Sequence, residues 1–197
     1  MIGFSKNTPR VYYFNSNNTT QSLQNIQNFS RKLGHMIDSK RGADQELIIL
    51  CVGSDRATGD CLGPIVGYKL QKLHLPDFLI YGSLRHPVHA KNLQDIILHI
   101  KKRHQRAFIL AIDASLGVPE HVGYITLGEG ALHPGIGVDK ALPVVGDIHI
   151  TGIVNSAGKG GQGRLQTTRL DTVMNLADFI CEGIDQLHLS PALQSLG

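Results

Sequence analysis

Two uninterrupted apolar runs restrict what this chain can fold into. The first run, residues 47–53, reads LIILCVG, and the second, residues 107–113, reads AFILAID. Neither run alternates apolar with polar residues, so both faces of each segment must be covered, as in a sheet that lies between two layers of helices. The two runs therefore predict a pair of buried, parallel β-strands at the centre of an α/β fold.

Helical periodicity flanks both runs. The clearest case is the third helix, where Leu93, Ile96, Ile97 and Ile100 follow the spacing of one helix face. Strands interleaved with helices predict a three-layer α/β/α sandwich with a mostly parallel sheet. The other predicted helices start near Thr20, near Leu62 and near Leu170, the last running to Leu187, and shorter strands are predicted at Phe78–Tyr81, His121–Leu127 and Asp147–Val154.

Length and composition exclude several classes of protein. The chain has 197 residues, 42% of them hydrophobic, which predicts one domain over residues 1–197 with loose termini at 1–19 and 190–197. The net charge of +3 is small and spread along the chain, so no nucleic-acid partner is expected. No apolar run approaches the roughly 18 residues that cross a bilayer, so no membrane association is expected. Three cysteines without a CxxC motif favour a reducing compartment and a cytoplasmic protein.

Two aspartates follow the two predicted central strands. Asp60 lies in the loop after the first strand, and Asp113 ends the second. Because the C-terminal ends of parallel strands share one edge of a sheet, the two carboxyl groups are expected to converge there. Close approach raises the pKa of one of them, so that one serves as acid while the other activates water. Two plainer roles remain open: Asp60 as the cap of the following helix, and Asp113 as an acceptor for backbone amides.

Four segments together resemble a known family of bacterial proteins. The family is the spore protease family of endospore-forming bacteria, which is similar to the germination protease, an enzyme that cleaves small acid-soluble spore proteins. It is more distantly similar to hydrogenase maturation endopeptidases. The segments are VGSDRATGDCLGP at 52–64, PVHAKNL at 87–93, AIDA at 111–114 and GDIHITGIVN at 146–155.

The resemblance implies a fold, an activity and a site. The implied fold is a phosphorylase/hydrolase-like α/β sandwich, and the implied activity is that of a sporulation-associated endopeptidase. Asp60 and Asp113 match the two essential aspartates of the germination protease, an atypical aspartic-type peptidase. The implied partner is a protein or peptide substrate, with small acid-soluble spore proteins as the example, in the cytoplasm of the sporulating cell or spore. The sequence leaves open whether the chain forms a homo-oligomer.

Five further residues are predicted to bind substrate. His89 sits at a predicted strand-to-helix junction, where it would orient an aspartate or donate to an oxyanion. Asn155 ends a predicted strand and offers a side-chain amide. Ser54, Asp55 and Ser115 lie in the segments that follow the two central strands, and neither serine has an evident His–Asp partnership.

Two alternative functions keep the same scaffold. One is a binding protein without catalysis, which docks a spore protein. The other is a metal-sensing maturation protease, in which nickel or zinc binds Asp60, Asp113 and a histidine. His133 is the candidate for that histidine. His86 and His89 alone do not complete a zinc site, so no metal and no cofactor are expected.

Glycine-rich segments are expected to shape the substrate groove. They are residues 128–137 and 158–163, together with the predicted loop 114–120. Residues 159–164 resemble a phosphate-binding loop in composition only, because the G-x-x-x-x-G-K-[ST] order is missing. A surface loop or a substrate flap is predicted there instead. Cys61 is predicted to be a packing residue, since a neighbouring carboxylate disfavours a thiolate.

Overall fold

A six-stranded sheet forms the centre of the computed structural model, which describes residues 10–17, 22–73, 75–134, 142–158 and 160–187. Helices cover the sheet on both faces. The strands are β1 (Val11–Asn15), β2 (Glu46–Cys51), β3 (Phe78–Tyr81), β4 (Ala107–Gly117), β5 (Tyr124–Glu129) and β6 (Ile148–Ser156). The helices are α1 (Ser22–Lys40), α2 (Leu62–Leu73), α3 (Leu93–Arg103), α4 (Gly161–Gln166) and α5 (Leu170–Asp185), with 3₁₀ turns at Thr58–Cys61 and Pro119–His121.

The sheet is mostly parallel, as predicted. Its strand order is β1-β5-β6-β4-β2-β3. β2 pairs in parallel with β3 and with β4, and β4 pairs in parallel with β6. Only β5 breaks the pattern, since it runs antiparallel to both β6 and β1. The two apolar runs thus become the adjacent strands β2 and β4.

Alternate side chains of β2 enter two different cores. Leu47 and Ile49 point into the larger core, which α1, α2 and α5 complete. Ile48 and Leu50 point into the smaller core, which α3 completes. Each fully buried aliphatic side chain of this kind contributes about 1.5–3 kcal/mol to folding. Burial on both faces of one strand confirms the three-layer α/β/α sandwich that the unbroken apolar run predicts.

Most predicted elements appear within a few residues of their expected bounds. β3 occupies the predicted residues, and the four predicted helices are α1, α2, α3 and α5. α5 ends at Asp185, so Leu187 lies beyond it. β5 starts at Tyr124 rather than His121, because residues 119–121 form a 3₁₀ turn that begins at a proline. Among the described residues, no helix combines the length and the apolar character that a membrane span requires.

The prediction of a loose N-terminal segment over residues 1–19 is wrong for residues 11–15. β1 pairs with β5, and Tyr12 and Phe14 pack against the larger core. Ser16 then donates a 2.6 Å hydrogen bond to the carbonyl oxygen of Gly123. The partner strand lies far along the chain, so no local pattern predicts the pairing. The remaining terminal predictions, for residues 1–9, 18–19 and 190–197, lie outside the described residues.

The prediction that the second central strand ends at Asp113 is also wrong. β4 continues to Gly117, because β6 pairs with it along this stretch, with a shift in register between Ser115 and Leu116. The predicted loop 114–120 is therefore largely strand. On its other side, β4 has no partner strand after Ile112, because β2 ends opposite that residue. Asp113 consequently lies one residue beyond the end of β2 in the sheet.

The glycine-rich segments also differ from the predicted loops. Residues 161–166 form α4, a short helix between β6 and α5, where a surface loop or flap is predicted. Gly128 belongs to β5, paired with Val11 and His149. Residues 135–137 of the other predicted groove segment lie outside the described residues.

Candidate functional site

The turn that carries Asp60 is folded back on the end of β2. Residues 58–61, which we call the Asp60 turn, form a single 3₁₀ turn directly before α2. The Asp60 amide donates to the carbonyl oxygen of Ala57 at 2.9 Å, and the Ser54 amide donates to the carbonyl oxygen of Asp60 at 3.0 Å. These bonds hold the loop between β2 and α2 in one shape and fix the position of Asp60.

Two glycines make this arrangement possible. Gly53 has a φ of +138°, and a Cβ placed there would collide with the carbonyl oxygen of Asp60. A Cβ at Gly63 would collide with the carbonyl oxygen of Val52. Only glycine permits such close approach of two backbone segments. The start of α2 is therefore pressed against the end of β2, and Asp60 lies at the C-terminal edge of the sheet.

Asp113 reaches the same edge from β4. Its register partner on β6 is Thr151. Its Oδ1 accepts a 2.8 Å hydrogen bond from the backbone N–H of Ala114, and its side chain is only 7% exposed. One amide is a small compensation for a buried carboxylate, which normally needs several donors or a cation.

A cavity of about 410 Å³ brings these groups together. It lies beyond the C-terminal end of β2 and beside the last part of β4, residues 113–116, at the sheet edge where ligands bind in open α/β sheets. Both aspartates line it, and so do three of the predicted substrate-binding residues, His89, Ser54 and Ser115. The other lining residues include Gly53, Arg56, Ala57, Ala90, Leu116, Pro134, Leu142, Leu165 and Gln166.

His89 is held at the cavity by the start of α3. Its backbone N–H donates to Oδ1 of Asn92 at 2.8 Å, and Nδ2 of Asn92 donates to the carbonyl oxygen of Pro87 at 3.0 Å. Nδ1 of His89 accepts a hydrogen bond from the Lys91 amide at 3.3 Å. With Nδ1 as an acceptor, the neutral imidazole carries its proton on Nε2. The turn before α3 therefore presents His89 to the cavity as a hydrogen-bond donor.

Two of the predicted substrate-binding residues do not line the cavity. Asp55 is exposed and is not among the residues that line the cavity. Asn155 directs its side-chain amide to the carbonyl oxygen of Arg164 at 3.0 Å and to Oγ1 of Thr168 at 3.3 Å. Its donors are therefore used inside the protein.

Sequence reasoning missed several lining residues, of which Arg56 and Gln166 are polar. Arg56 lies in the same loop as Asp60, and its closeness to Asp60 in the sequence could have marked it as a cavity residue. Gln166 and Leu165 belong to α4, a helix that no periodicity in the sequence predicted. Only the return of the chain over the Asp60 turn brings them to the cavity.

The two carboxyl groups share a cavity that favours their protonated forms. Burial raises the pKa of Asp60 to about 6, although the Ser54 backbone N–H lowers it in part. Burial raises the pKa of Asp113 well above its usual range, and the charge of Asp60 raises it further, against a lowering by the Ala114 N–H. Of the two carboxyl groups, Asp113 is the more deeply buried and also feels the charge of the other, so Asp60 is the one that loses its proton more readily. This separation of protonation states is the arrangement that acid–base catalysis by two carboxyl groups requires.

Comparison with known proteins places the whole site inside one family. A family model described as a protein of unknown function, DUF1256, matches residues 16–183. The chain belongs to the DUF1256 family. The match includes every residue that lines the cavity and leaves out β1. Because that description assigns no activity, the resemblance to spore proteases stays a prediction.

Individual proteins resemble this DUF1256 chain over most of its length. The "Uncharacterized protein YyaC" of Bacillus subtilis (strain 168) is 48% identical over 145 residues, which are 74% of this chain and 71% of that protein. A NiFe hydrogenase maturation protease, HycI of Thermococcus kodakarensis KOD1, is 16% identical with a TM-score of 0.41 over 78% of this chain and 98% of its own. A hydrogenase 3 maturation protease is 14% identical, with a TM-score of 0.36 over 75% of this chain and 98% of its own. At these identities and TM-scores, the structural likenesses carry no argument about activity.

The plainer role for Asp60, a helix cap, finds no support in its contacts. The Ser54 amide is the backbone donor that acts on the Asp60 carboxyl group, and it belongs to the loop rather than to α2. The plainer role for Asp113, an acceptor for backbone amides, finds partial support, since one backbone amide donates to its carboxyl group. Both carboxyl groups therefore have capacity left for a ligand in the cavity.

Neither the thiol nor the hydroxyl groups near the cavity have the environment of a nucleophile. Burial, together with the charges of Asp55 and Asp60, raises the pKa of Cys61, so its thiol stays protonated. Oγ of Ser54 accepts from the Arg56 amide at 3.1 Å, and Oγ of Ser115 donates to Oγ1 of Thr151 at 3.1 Å. Both hydroxyl groups are thus engaged without a histidine base.

Potential metal ligands do not cluster in the described part of the chain. No group of three or more His, Cys, Asp or Glu side chains there has the spacing that holds a metal ion. His133, the third ligand considered in the sequence, is exposed and does not line the cavity.

Proposed function

We propose that this protein is an endopeptidase in which Asp60 and Asp113 activate a water molecule against a peptide carbonyl. One observation supports the proposal above all: two carboxyl groups with raised pKa values line a single cavity at the C-terminal edge of the sheet. Strongly perturbed carboxyl groups concentrate at catalytic sites, because burying them lowers the stability of the fold.

The protonation states assign a role to each aspartate. Asp60, with a pKa of about 6, is ionised at neutral pH and accepts a proton from water. The water oxygen bonds to the carbonyl carbon, while Asp113 donates its proton to the carbonyl oxygen. When the C–N bond of the tetrahedral intermediate breaks, the leaving nitrogen takes the proton held by Asp60, and one of the two hydroxyl groups on the carbon returns a proton to Asp113, which leaves a carboxylic acid and a neutral amine.

Two neighbouring residues would bind the peptide. His89 supplies an N–H donor for the carbonyl oxygen as charge develops there. Oγ of Ser115 donates to Thr151, with the Gly152 carbonyl oxygen at 3.4 Å as a second acceptor, so its lone pairs are left to accept from a peptide N–H. The cavity would thus hold the peptide by main-chain groups on both sides of the cleaved bond.

The proposed substrate is a spore protein, with small acid-soluble spore proteins as the first candidates, in the cytoplasm of a sporulating cell. This part of the proposal rests on the four sequence segments that resemble the spore protease family. Three of those segments supply cavity residues, namely the loop after β2, the turn before α3 and the part of β4 around Asp113.

A cleavage assay on a mixed substrate tests the proposed function. We expect the wild-type protein to generate new peptide N-termini, detected by mass spectrometry, when incubated with unfolded protein extracted from bacterial spores. The Asp60→Asn/Asp113→Asn double variant is the matched control, because it keeps the shape of both side chains and removes both acid–base groups. New termini produced equally by both proteins, or by neither, contradict the proposal. Substrate retained by both proteins without cleavage identifies a binding protein instead.

The rate of cleavage is expected to depend on pH as a bell-shaped curve. It rises as pH increases through about 6, because Asp60 must lose its proton to act as a base. It falls again at higher pH, because Asp113 must keep its proton to act as an acid. The measurement is kcat/KM across the pH range, and Asp77→Asn, a change at an exposed aspartate before β3, is expected to give the wild-type curve. A rate that does not change between pH 5 and 7 contradicts the assignment of Asp60 as the base.

A further inference from the structure

Asn155 lies outside the cavity, yet it connects the elements that carry the two carboxyl groups. It belongs to β6, and its register partner is Leu116 on β4, the strand that carries Asp113. Its Nδ2 group donates to the carbonyl oxygen of Arg164 in α4 at 3.0 Å and to Oγ1 of Thr168 at 3.3 Å. One side chain thus joins the sheet to the segment over the Asp60 turn.

Thr168 continues this connection to the Asp60 turn. Its side chain is buried, and its Oγ1 donates to the carbonyl oxygen of Arg164 at 2.8 Å while it accepts from Asn155. The backbone of Gly59 lies against it so closely that a Cβ on Gly59 would be 2.7 Å from that Oγ1. The same Cβ would be 2.9 Å from Cδ2 of Leu165. The residue before Asp60 therefore rests directly on the segment that Asn155 anchors.

Both hydrogen-bond donors of the Asn155 side chain are used within the protein. Both Nδ2 hydrogens have the partners given above, and Oδ1 accepts from the Ser156 amide at 2.8 Å. An amide with two donors has none left for a substrate. The substrate-binding role predicted for Asn155 therefore gives way to a different one.

We propose that Asn155 is a positioning residue that, together with Thr168, sets the separation between the carboxyl groups of Asp60 and Asp113. The catalytic consequence of this inference rests on the proposed function, but the positioning itself does not. Separation matters because the charge of Asp60 adds to the effect of burial in raising the pKa of Asp113, and that contribution weakens with distance. A longer distance, or water admitted between the two groups, would therefore lower the pKa of Asp113.

The inference can be tested without changing the charge of the site, because the two residues that connect its elements are uncharged. Asn155 and Thr168 carry no charge, so replacing them changes geometry alone. The described titratable groups around the pair stay the same in every variant, and they come from the loop after β2, from the turn before α3 and from α4: Asp55, Arg56, Cys61, His89 and Arg164.

The experiment is an NMR titration of the aspartate carboxyl carbons in the full chain. In Asn155→Ala and in Thr168→Val, we expect the higher apparent pKa of the pair to fall by at least ~0.5 pH units, since the two groups separate or gain solvent. Ser156→Ala is the matched control, because it removes only the exposed 3.0 Å contact between Arg164 and Ser156 at the same end of α4. It is expected to titrate as the wild type does.

The outcomes separate this inference from the proposed function. A folded Thr168→Val variant with the wild-type titration overturns the inference, even if Asn155→Ala does not fold. A lowered pKa in both variants supports it, whether or not the wild-type protein cleaves peptides. Where the wild type does cleave, kcat is expected to fall about tenfold with KM nearly unchanged, because the chemistry rather than the binding is disturbed. A rise in KM with unchanged kcat would assign Asn155 to substrate binding and overturn the inference.

Discussion

Replacing Asp113 with Asn is expected to abolish peptide cleavage and, at neutral pH, to stabilise the folded protein. Loss of one acid or base lowers a rate by about 10²–10⁴-fold, so both Asp113→Asn and Asp60→Asn should show a loss of this size. Stability should change in the opposite direction, because each carboxyl group is buried with too few hydrogen-bond donors to pay for its charge.

The pH dependence of this stabilisation follows from the direction of the pKa changes. The pKa of Asp60 is about 6 in the folded protein and 3.8 in the unfolded chain. The folded state therefore holds its proton more tightly, and the free energy of unfolding decreases as pH rises between these two values. For Asp60 this costs on the order of 2–3 kcal/mol above pH 6. Asn cannot ionise, so the variant avoids that cost.

Thermal unfolding at two pH values tests the prediction. At pH 7, we expect Asp60→Asn and Asp113→Asn to melt roughly 4–12 °C above the wild type, since each kcal/mol shifts the melting temperature of a chain of this size by about 2–4 °C. Below pH 4 the advantage should vanish, because the wild-type carboxyl groups are then protonated in both states. Asp77→Asn, at an exposed site, should leave the melting temperature unchanged at both pH values. Variants that retain wild-type cleavage, or that melt lower than the wild type at pH 7, would remove the basis for a catalytic carboxyl pair.

Gly53→Ala is expected to cause a large loss of stability. The φ of +138° is strained for any residue with a Cβ, and the added methyl would meet the carbonyl oxygen of Asp60 and lie 2.9 Å from Cδ of Pro64. Strain and overpacking together cost about 2–5 kcal/mol. The measurement is the free energy of unfolding in urea.

Gly130→Ala is the matched control for this substitution. Gly130 also has a positive φ, of +86°, but a Cβ there would meet nothing within 4 Å. Its alanine variant reports backbone strain alone, for which we expect a loss of about 1–2 kcal/mol. If Gly53→Ala costs no more than Gly130→Ala, then the contact between β2 and the Asp60 turn does not hold the site together.

The fold was predictable from sequence where local chemistry decides it. The unbroken apolar runs predicted β2 and β4, and the apolar residues spaced along one helix face around Ile97 predicted α3. Those signals are local, since burial on both faces of a strand, or on one face of a helix, imposes its own residue pattern. β1 is harder to predict, although its residues VYYF are types that are common in strands and Tyr12 and Phe14 alternate into the larger core. A run of four such residues does not tell which strand it joins, and its partner is distant: Asn15 and Tyr124 lie 109 positions apart.

The candidate site shows the same division. Asp60, Asp113 and His89 were predictable because each follows a predicted strand or precedes a predicted helix, and parallel topology brings such positions to one edge. The contribution of α4 was not predictable. α4 has only six residues, GQGRLQ, which is too short and too rich in glycine to show a helical periodicity. Its position depends on side-chain hydrogen bonds of Asn155 and Thr168, which residue spacing does not reveal. The protonation order of the two aspartates likewise depends on relative burial, which sequence spacing does not encode.

The antiparallel pairing of β1 with β5 has a consequence for how the protein is made. β1 leaves the ribosome first but has no partner until β5 has been synthesised, more than half the chain later. Until then, the parallel strands β2, β3 and β4 are free to assemble from neighbouring segments. β5 joins the rest of the sheet through β6, so the edge at β5 forms only after β6 has been synthesised, when β1 is already present to pair with it. Protection of that edge from pairing with another chain thus depends on a segment that the matched family region does not include.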